Sequence, residues 1–325
     1  MKKLLSLVLS LTLVLSLTAC GSGQATAETD KTPYSVDTVT VTYVDAPLNV
    51  PSILEKSMGV LSDAYGEMGL GFGYSDLTSG ADQTAALASG DIQILNAVGT
   101  TSVLLAAANG ADIAIISMYS RAPGAFMLFS NDDSIDSPED LRGLTVAGPK
   151  GTILHELLAA YLATAGMTTE DLSFVSMDIP SSLAAMESGS VDCALLGGAA
   201  AYNCLHSGKH LVTDGEGLTE ATIVTATSRA FYEANPELIN TFAANQQAIL
   251  TYLKENEEEA LQTTAEAIDT DLATVREMYP AYDFSMDITE EDIASMQATE
   301  AFLYDSGMIE AHVDVRDLLL PLSQE

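Results

Sequence analysis

The chain contains no tryptophan, four histidines, three cysteines, and 12 lysines and arginines against 46 aspartates and glutamates. The shortage of positive charge leaves a formal net charge of −34. That balance argues against nucleic-acid binding, because phosphate contact needs clustered Lys and Arg. It also disfavours adhesion of the folded body to anionic lipid. Net charge speaks to solubility and partners rather than to fold, and an anionic ligand stays allowed because a pocket's local field decides its binding. No close His/Cys cluster supports a metal site. No Gly-x-Ser-x-Gly elbow precedes a helix and no P-loop occurs, so hydrolase and nucleotide-hydrolysing chemistry lack their usual signatures. His155 is a lone imidazole inside a predicted helix, and Glu290-Glu291-Asp292 reads as a solvated helix start. Beyond residue 20 no segment is long and apolar enough to span a bilayer, which takes about 20 residues.

The apolar run at 4–17 is led by Lys2 and Lys3 and ends in Leu17-Thr18-Ala19-Cys20-Gly21. About 14 apolar residues suit the core of a signal peptide rather than a membrane span. Small side chains flank Cys20, and the pattern resembles the bacterial lipoprotein lipobox, in which the cysteine thiol is joined to diacylglycerol. The expectation is a signal peptide over 1–19, lipidation at Cys20, and a flexible tether over 20–34 holding the body at the outer face of a bacterial cell membrane. An ordinary secretory signal and a retained anchor are the alternatives. Cys193 and Cys204 read as small buried thiols, with a disulfide permitted by the compartment but not required.

About 290 residues follow, more than one core usually holds, which favours two lobes. Val39, Val41 and Tyr43 alternate along a predicted strand over 36–44, and a loop with Pro47 and Asn49 leads to a predicted helix over 52–68. Strands over 71–77, 92–98 and 113–117 alternate with helices over 81–89 and 102–109, predicting a parallel α/β lobe. The rhythm restarts after Arg121-Ala122-Pro123-Gly124, with strands over 125–130, 144–147, 174–178, 191–196 and 210–213. From about residue 228 the chain reads as helix throughout, a cover for one lobe.

Three predicted strand-to-helix junctions are built from small or hydroxyl residues: Gly99-Thr100-Thr101-Ser102, Gly151-Thr152 and Gly197-Gly198. Ligands of parallel α/β lobes bind at the carboxyl ends of strands, where a helix's first turn leaves N–H groups unpaired. Glycine there lets ligand atoms approach the main chain. Any one such junction is ordinary helix capping; three on two lobes point to a shared cleft. Pro47 and Asn49 follow a strand and are expected to face it. Arg121, at the lobe crossover, and Lys150, before the second-lobe helix, are candidates for a charge-assisted bond to a carboxylate or sulfonate, with a surface ion pair as the alternative. Tyr119 and Tyr202 are candidate walls or packing residues.

The segments "SPEDLRGLTVAGPKGTILHELLAAYLATAG", "SGSVDCALLGGAAAY", "SGDIQILNAVGTTSVLLAAANGADIAII" and "ITEEDIASMQATEAFLYDSGMI" resemble the solute-binding proteins of nitrate/sulfonate/taurine-type ABC transporters, including the pyrimidine-precursor group. The resemblance implies an α/β, two-lobed periplasmic-binding-protein fold (type II). It would have two hinge crossovers, near 120–123 and 222–225, and a helical C-terminal segment packed on lobe 1. Residues 35–121 and 223–325 would form the first lobe and 122–222 the second. Family ligands meet the loop here formed by Pro47 to Asn49, the helix start Thr100 to Ser102, and the second-lobe start at Gly151 and Thr152. Many relatives carry an aromatic-acid-Pro group where this chain has Leu196-Gly197-Gly198-Ala199-Ala200, so that aromatic wall is missing. The implied role is a monomeric, lipid-anchored binding component of an ABC importer, not an enzyme and without cofactor. It would close on a sulfonate- or taurine-like anion and present it to a membrane permease with its cytoplasmic ATPase. The alternatives are a pyrimidine precursor or other neutral heterocycle as cargo, or a ligand-sensing module for a surface receptor.

Overall fold

The computed structural model describes residues 33–77 and 79–322; the expected signal peptide, the expected lipidation site Cys20 and most of the expected tether lie outside the described residues. The chain opens with β1 (Thr38–Thr42), whose Val39 and Val41 are fully buried on one face. Then come α1 (Val50–Met58), α2 (Val60–Glu67), β2 (Gly71–Ser75), α3 (Gly80–Ser89), β3 (Ile94–Gly99), α4 (Thr100–Ala108) and β4 (Ala114–Arg121). The helix expected over 52–68 is thus two. Gly59 adopts a left-handed φ of 70°, ending α1 and starting α2, which an L side chain would resist.

Residues 122–125 lead into β5 (Phe126–Ser130), β6 (Thr145–Gly148), α5 (Ile153–Ala163), β7 (Ser173–Ser176), α6 (Ile179–Glu187), β8 (Cys193–Gly197), α7 (Gly198–His206) and β9 (His210–Asp214). Residues 215–221 lead back to β10 (Thr222–Thr227), α8 (Arg229–Ala234), α9 (Pro236–Glu255), α10 (Glu257–Ala267), α11 (Leu272–Met278), β11 (Asp283–Phe284) and α12 (Glu290–Asp305).

Two sheets result, ordered β11-β4-β10-β3-β1-β2 and β7-β6-β8-β5-β9. β10 runs antiparallel between β3 and β4 with all six residues buried. Residues 222–225, expected at a crossover, are therefore a core strand, as their β-branched run favours, and the connection precedes them. The first sheet is mixed rather than parallel, and β5 is antiparallel to both β8 and β9 in the second. The last quarter is not all helical, because β11 adds an edge to β4.

Register sets the site. Ile223 pairs with Gly99 and Thr222 with Arg121, so the ends of β3 and β4 share an edge with the start of β10. In the second sheet Phe126 pairs with Gly197. These edges face each other. Leu48, Leu54 and Ala97 share one apolar cluster with Phe126, Leu128 and Ile153, so the seam between lobes is lined largely by hydrocarbon. The C-terminal helices cover the first lobe, α9 and α10 on α1 and α12 on α4. Cys193 and Cys204 are buried free thiols.

Candidate ligand-binding site

Four helices begin at the seam: α1 and α4 on the first lobe, α5 and α7 on the second. Their N-cap residues are Asn49, Gly99, Thr152 and Gly197, and none makes a side-chain cap bond. Elsewhere Ser79, Asp178, Ser228, Asp271 and Thr289 cap α3, α6, α8, α11 and α12 with their side chains, whereas α2, α9 and α10 also start without one, and in α1 Ser52 N donates to Tyr119 OH at 3.2 Å. Leaving first-turn amides uncapped costs stability where water is excluded, unless a ligand supplies the acceptor.

Glycine sets how closely the lobes approach. Gly198 has a φ of 60°, and a Cβ there would lie 2.7 Å from Pro47 Cα and 2.9 Å from its carbonyl oxygen. A Cβ on Gly99 would stand 3.5 Å from Ile153 Cδ1, and one on Gly151, itself at φ 71°, would stand 3.0 Å from Leu105 Cδ1. Gly197 lies under Phe126, with its Cβ position 3.4 Å from Ala125 O. Pro47, Gly99, Gly151 and Gly198 are thus brought together across the seam, which stands closed.

The hydroxyl residues divide. Thr101 Oγ1 donates to Glu156 Oε2 across the lobes at 3.2 Å. Thr100 instead donates to the Thr222 carbonyl oxygen at 3.1 Å and accepts from Thr222 Oγ1 at 2.8 Å, within its own lobe. Ser102 turns toward α3, where Gly80 leaves room for it. Thr152 Oγ1 donates to Pro149 O at 2.8 Å. Asn49 is 1% exposed; its Nδ2 donates to Ala46 O, and its Oδ1 is buried without a partner.

Neither candidate cation bonds across the seam. Arg121 grips Asp292 with Nε and Nη2 at 2.5 and 2.6 Å, meets Asp283 at 3.2 Å and donates to Asp287 O at 3.0 Å. It ties the first crossover to α12, with four of its five N–H donors engaged within the first lobe. Lys150 is exposed. Tyr119 is buried and bonded to Ser52, and Tyr202 donates to Glu277 at 3.0 Å.

Two neighbouring side chains matter here, Glu156, which residue-type reasoning passed over, and His155, which it read as a lone imidazole within a helix. Glu156, one turn into α5, accepts from Thr299 Oγ1 at 2.7 Å besides Thr101, and lies 3.5 Å from Thr219 Oγ1. It is 7% exposed, and burial raises its pKa against the pull of those hydroxyls. Its signal was an acid standing alone in the apolar stretch Ile153-Leu154-His155-Glu156-Leu157-Leu158. His155 stacks on Phe174 and meets Phe302 edge-on, while its Nδ1 accepts from Gly151 N at 3.3 Å. Burial, then Lys150, push its pKa down to about 4, so it stays neutral and holds the Gly151 turn.

Two α/β lobes joined by two crossovers, with helix starts from both meeting at an apolar seam, define a protein of the periplasmic-binding fold. The chain belongs to the NMT1/THI5-like family, whose match spans residues 65–260, more than half its length. It is 30% identical over 181 residues to the taurine-binding periplasmic protein of Escherichia coli (strain K12), a match covering 54% of this chain and 56% of that protein's length. The putative aliphatic sulfonates-binding protein of the same organism is 23% identical over 273 residues, 82% of this chain and 84% of the relative. The fold matches the alkanesulfonate-binding protein SsuA of Xanthomonas axonopodis pv. citri, solved bound to MOPS, with TM-score 0.79 and 20% identity over 88% of this chain and 99% of that one.

Proposed function

We propose that this protein is the extracytoplasmic solute-binding component of an ABC importer, which closes its two lobes on a small organic sulfonate or similar oxyanion and delivers it to a membrane permease. The observation that carries this is the convergence at the seam of the starts of α4, α5 and α7, whose N-caps Gly99, Thr152 and Gly197 make no side-chain cap bond. Amides and the positive ends of helix dipoles recognise an oxyanion without a cationic side chain. That suits a seam across which neither Arg121 nor Lys150 bonds. Similarity to taurine- and sulfonate-binding proteins supports the same cargo class. In this reading Pro47, Gly99, Thr101, Gly151, Thr152, Gly197 and Gly198 border the ligand. Residues 122–125 and 215–221 are the hinge, and a lipid on Cys20 keeps the monomer beside its permease.

A second cargo, a neutral heterocycle such as a pyrimidine precursor, is favoured by the hydrocarbon walls of Ala97, Phe126, Ile153 and Ile223. A thermal-shift series on the purified protein separates the two. Ligand at 100 times its Kd adds about 2.7 kcal/mol of stability. Alkane- and aminoalkanesulfonates are expected to raise the Tm and pyrimidines to leave it unchanged; a shift with pyrimidines alone reverses the assignment.

A further inference from the structure

His206 and Glu277 stand outside the candidate ligand site, and theirs is the one ion pair among the described residues that joins the two lobes. His206 ends α7 of the second lobe, and Glu277 lies on α11, after the chain has returned to the first. Both lobes carry an excess of acids, so they repel when pressed together. The imidazole is held between acceptors. Its Nδ1 lies 2.8 Å from the Tyr202 carbonyl oxygen and its Nε2 2.9 Å from Glu277 Oε1. A neutral imidazole has one N–H and would turn a lone pair on one of those oxygens; the doubly protonated ring donates to both. The Tyr202 ring stacks on His206 at 4.2 Å between centroids, and its hydroxyl donates to Glu277 Oε2 at 3.0 Å. Each oxygen of Glu277 thus takes a bond from α7. Among the described residues, no hydrogen bond or ion pair joins His206 to the other charged groups on the elements around it. Glu187 of α6 and Asp214 of β9 are not bonded to it; Lys209 donates to Asn131, His210 pairs with Asp136, and Arg276 of α11 pairs with Glu258.

We infer that His206 and Glu277 form a pH-gated clasp between the lobes, which holds them together while His206 carries its second proton and lets them part as it is lost. The inference rests on the reading that the lobes part to admit cargo, and it holds whatever the cargo is. The Tyr202 carbonyl, and then Glu277, raise the His206 pKa above its ordinary 6.5, against desolvation. The clasp is therefore complete below about pH 6.5 and is lost as pH rises through the raised value. An exposed pair contributes modestly and is screened by salt, so the clasp biases closure rather than commanding it.

The test measures lobe separation without ligand, by electron–electron resonance between nitroxides at Ser62→Cys of α2 and Ala184→Cys of α6, both exposed, in a Cys20→Ser background. The unliganded protein should show a shorter and a longer separation. The ratio of shorter to longer should rise about threefold between about pH 8.5 and about pH 5.5. In His206→Gln and in Glu277→Gln that threefold component should vanish, and in wild type about 1 M salt should shrink it. Proton NMR should place the His206 pKa above 6.5 in wild type and return it to about 6.5 in Glu277→Gln. A pH response in both variants equal to that of wild type overturns the clasp and leaves the sulfonate reading standing. So does an unshifted His206 pKa. A single separation at every pH, unchanged by added alkanesulfonate, means that the lobes do not part and overturns the clasp and the proposed function together.

Discussion

Gly198, the first residue of α7, sits against Pro47 of the opposite lobe so closely that a methyl group on it would overlap backbone, 2.7 Å from Cα. Backbone at that distance cannot yield as a side-chain tip can. Gly198→Ala therefore carries two separable costs. The left-handed φ of 60° costs about 1–2 kcal/mol in the fold itself. The overlap with Pro47 arises only on closure. Ligand affinity is expected to fall about tenfold or more beyond the stability loss, read by titration against urea unfolding of the unliganded protein. Unchanged affinity would mean that the liganded form does not close at this point.

Arg121 and Asp292 form the opposite kind of contact, one within a lobe that should matter to stability and not to cargo. Asp292 is 1% exposed; burial alone would raise its pKa, but bonds from Arg121 and Thr289 outweigh that and lower it. Removing one partner strands the other, so Arg121→Met is expected to cost about 3 kcal/mol in chemical unfolding while leaving ligand affinity within about twofold. Because the folded-state pKa of Asp292 is depressed, its contribution is present above the ordinary aspartate range and is lost as pH falls below it. The variant's deficit should accordingly shrink toward pH 3.

Much of this fold was legible because its elements follow single local rules. The alternation of Val39 and Val41, the Thr289–Asp292 capping box and the glycines ending helices each fix an element without help from afar. The misreadings share a cause. Gly59 sits in an unbroken helical pattern, and only its backbone φ divides α1 from α2. Thr222–Thr227 is a strand because β3 and β4 flank it, partners more than 100 residues earlier in the chain. At the site, glycine-rich helix starts could be read from composition. What Arg121 and Glu156 bond to could not, since Asp292 and Thr299 arrive on a helix from the far end of the chain.

The buried thiols supply a check on packing. Burial, against a weak bond to Ser130, pushes the Cys193 thiol up to about 12, and burial raises Cys204 as well. Since the thiolate is the reactive form, neither should be alkylated at pH 8 in a Cys20→Ser background until denaturant is added. Rapid native labelling of Cys193 would contradict a packed second sheet. As both are free, reducing agent should leave the Tm unchanged.

Glu55 makes the sharpest pH prediction. It is fully buried beneath the first sheet's edge, accepts from Tyr74 OH at 2.9 Å and Asn96 Nδ2 at 3.4 Å, and also takes a bond from Gln246 Nε2. Burial dominates over these donors and lifts its pKa to about 8. The folded chain therefore holds a proton there that the unfolded chain gives up near the model-peptide value of 4.5. The sign follows: this stabilisation is complete below pH 4.5, declines as pH rises, and is gone above about pH 8. Between those limits Glu55 contributes a slope of about −1.4 kcal/mol per pH unit to the unfolding free energy. Glu55→Gln removes the titration, so its stability measured against wild type by urea unfolding should improve steadily from pH 5 to pH 8, whatever the offset at pH 5. Parallel curves for the two proteins would show that Glu55 is already ionised in the fold, held so by its three donors.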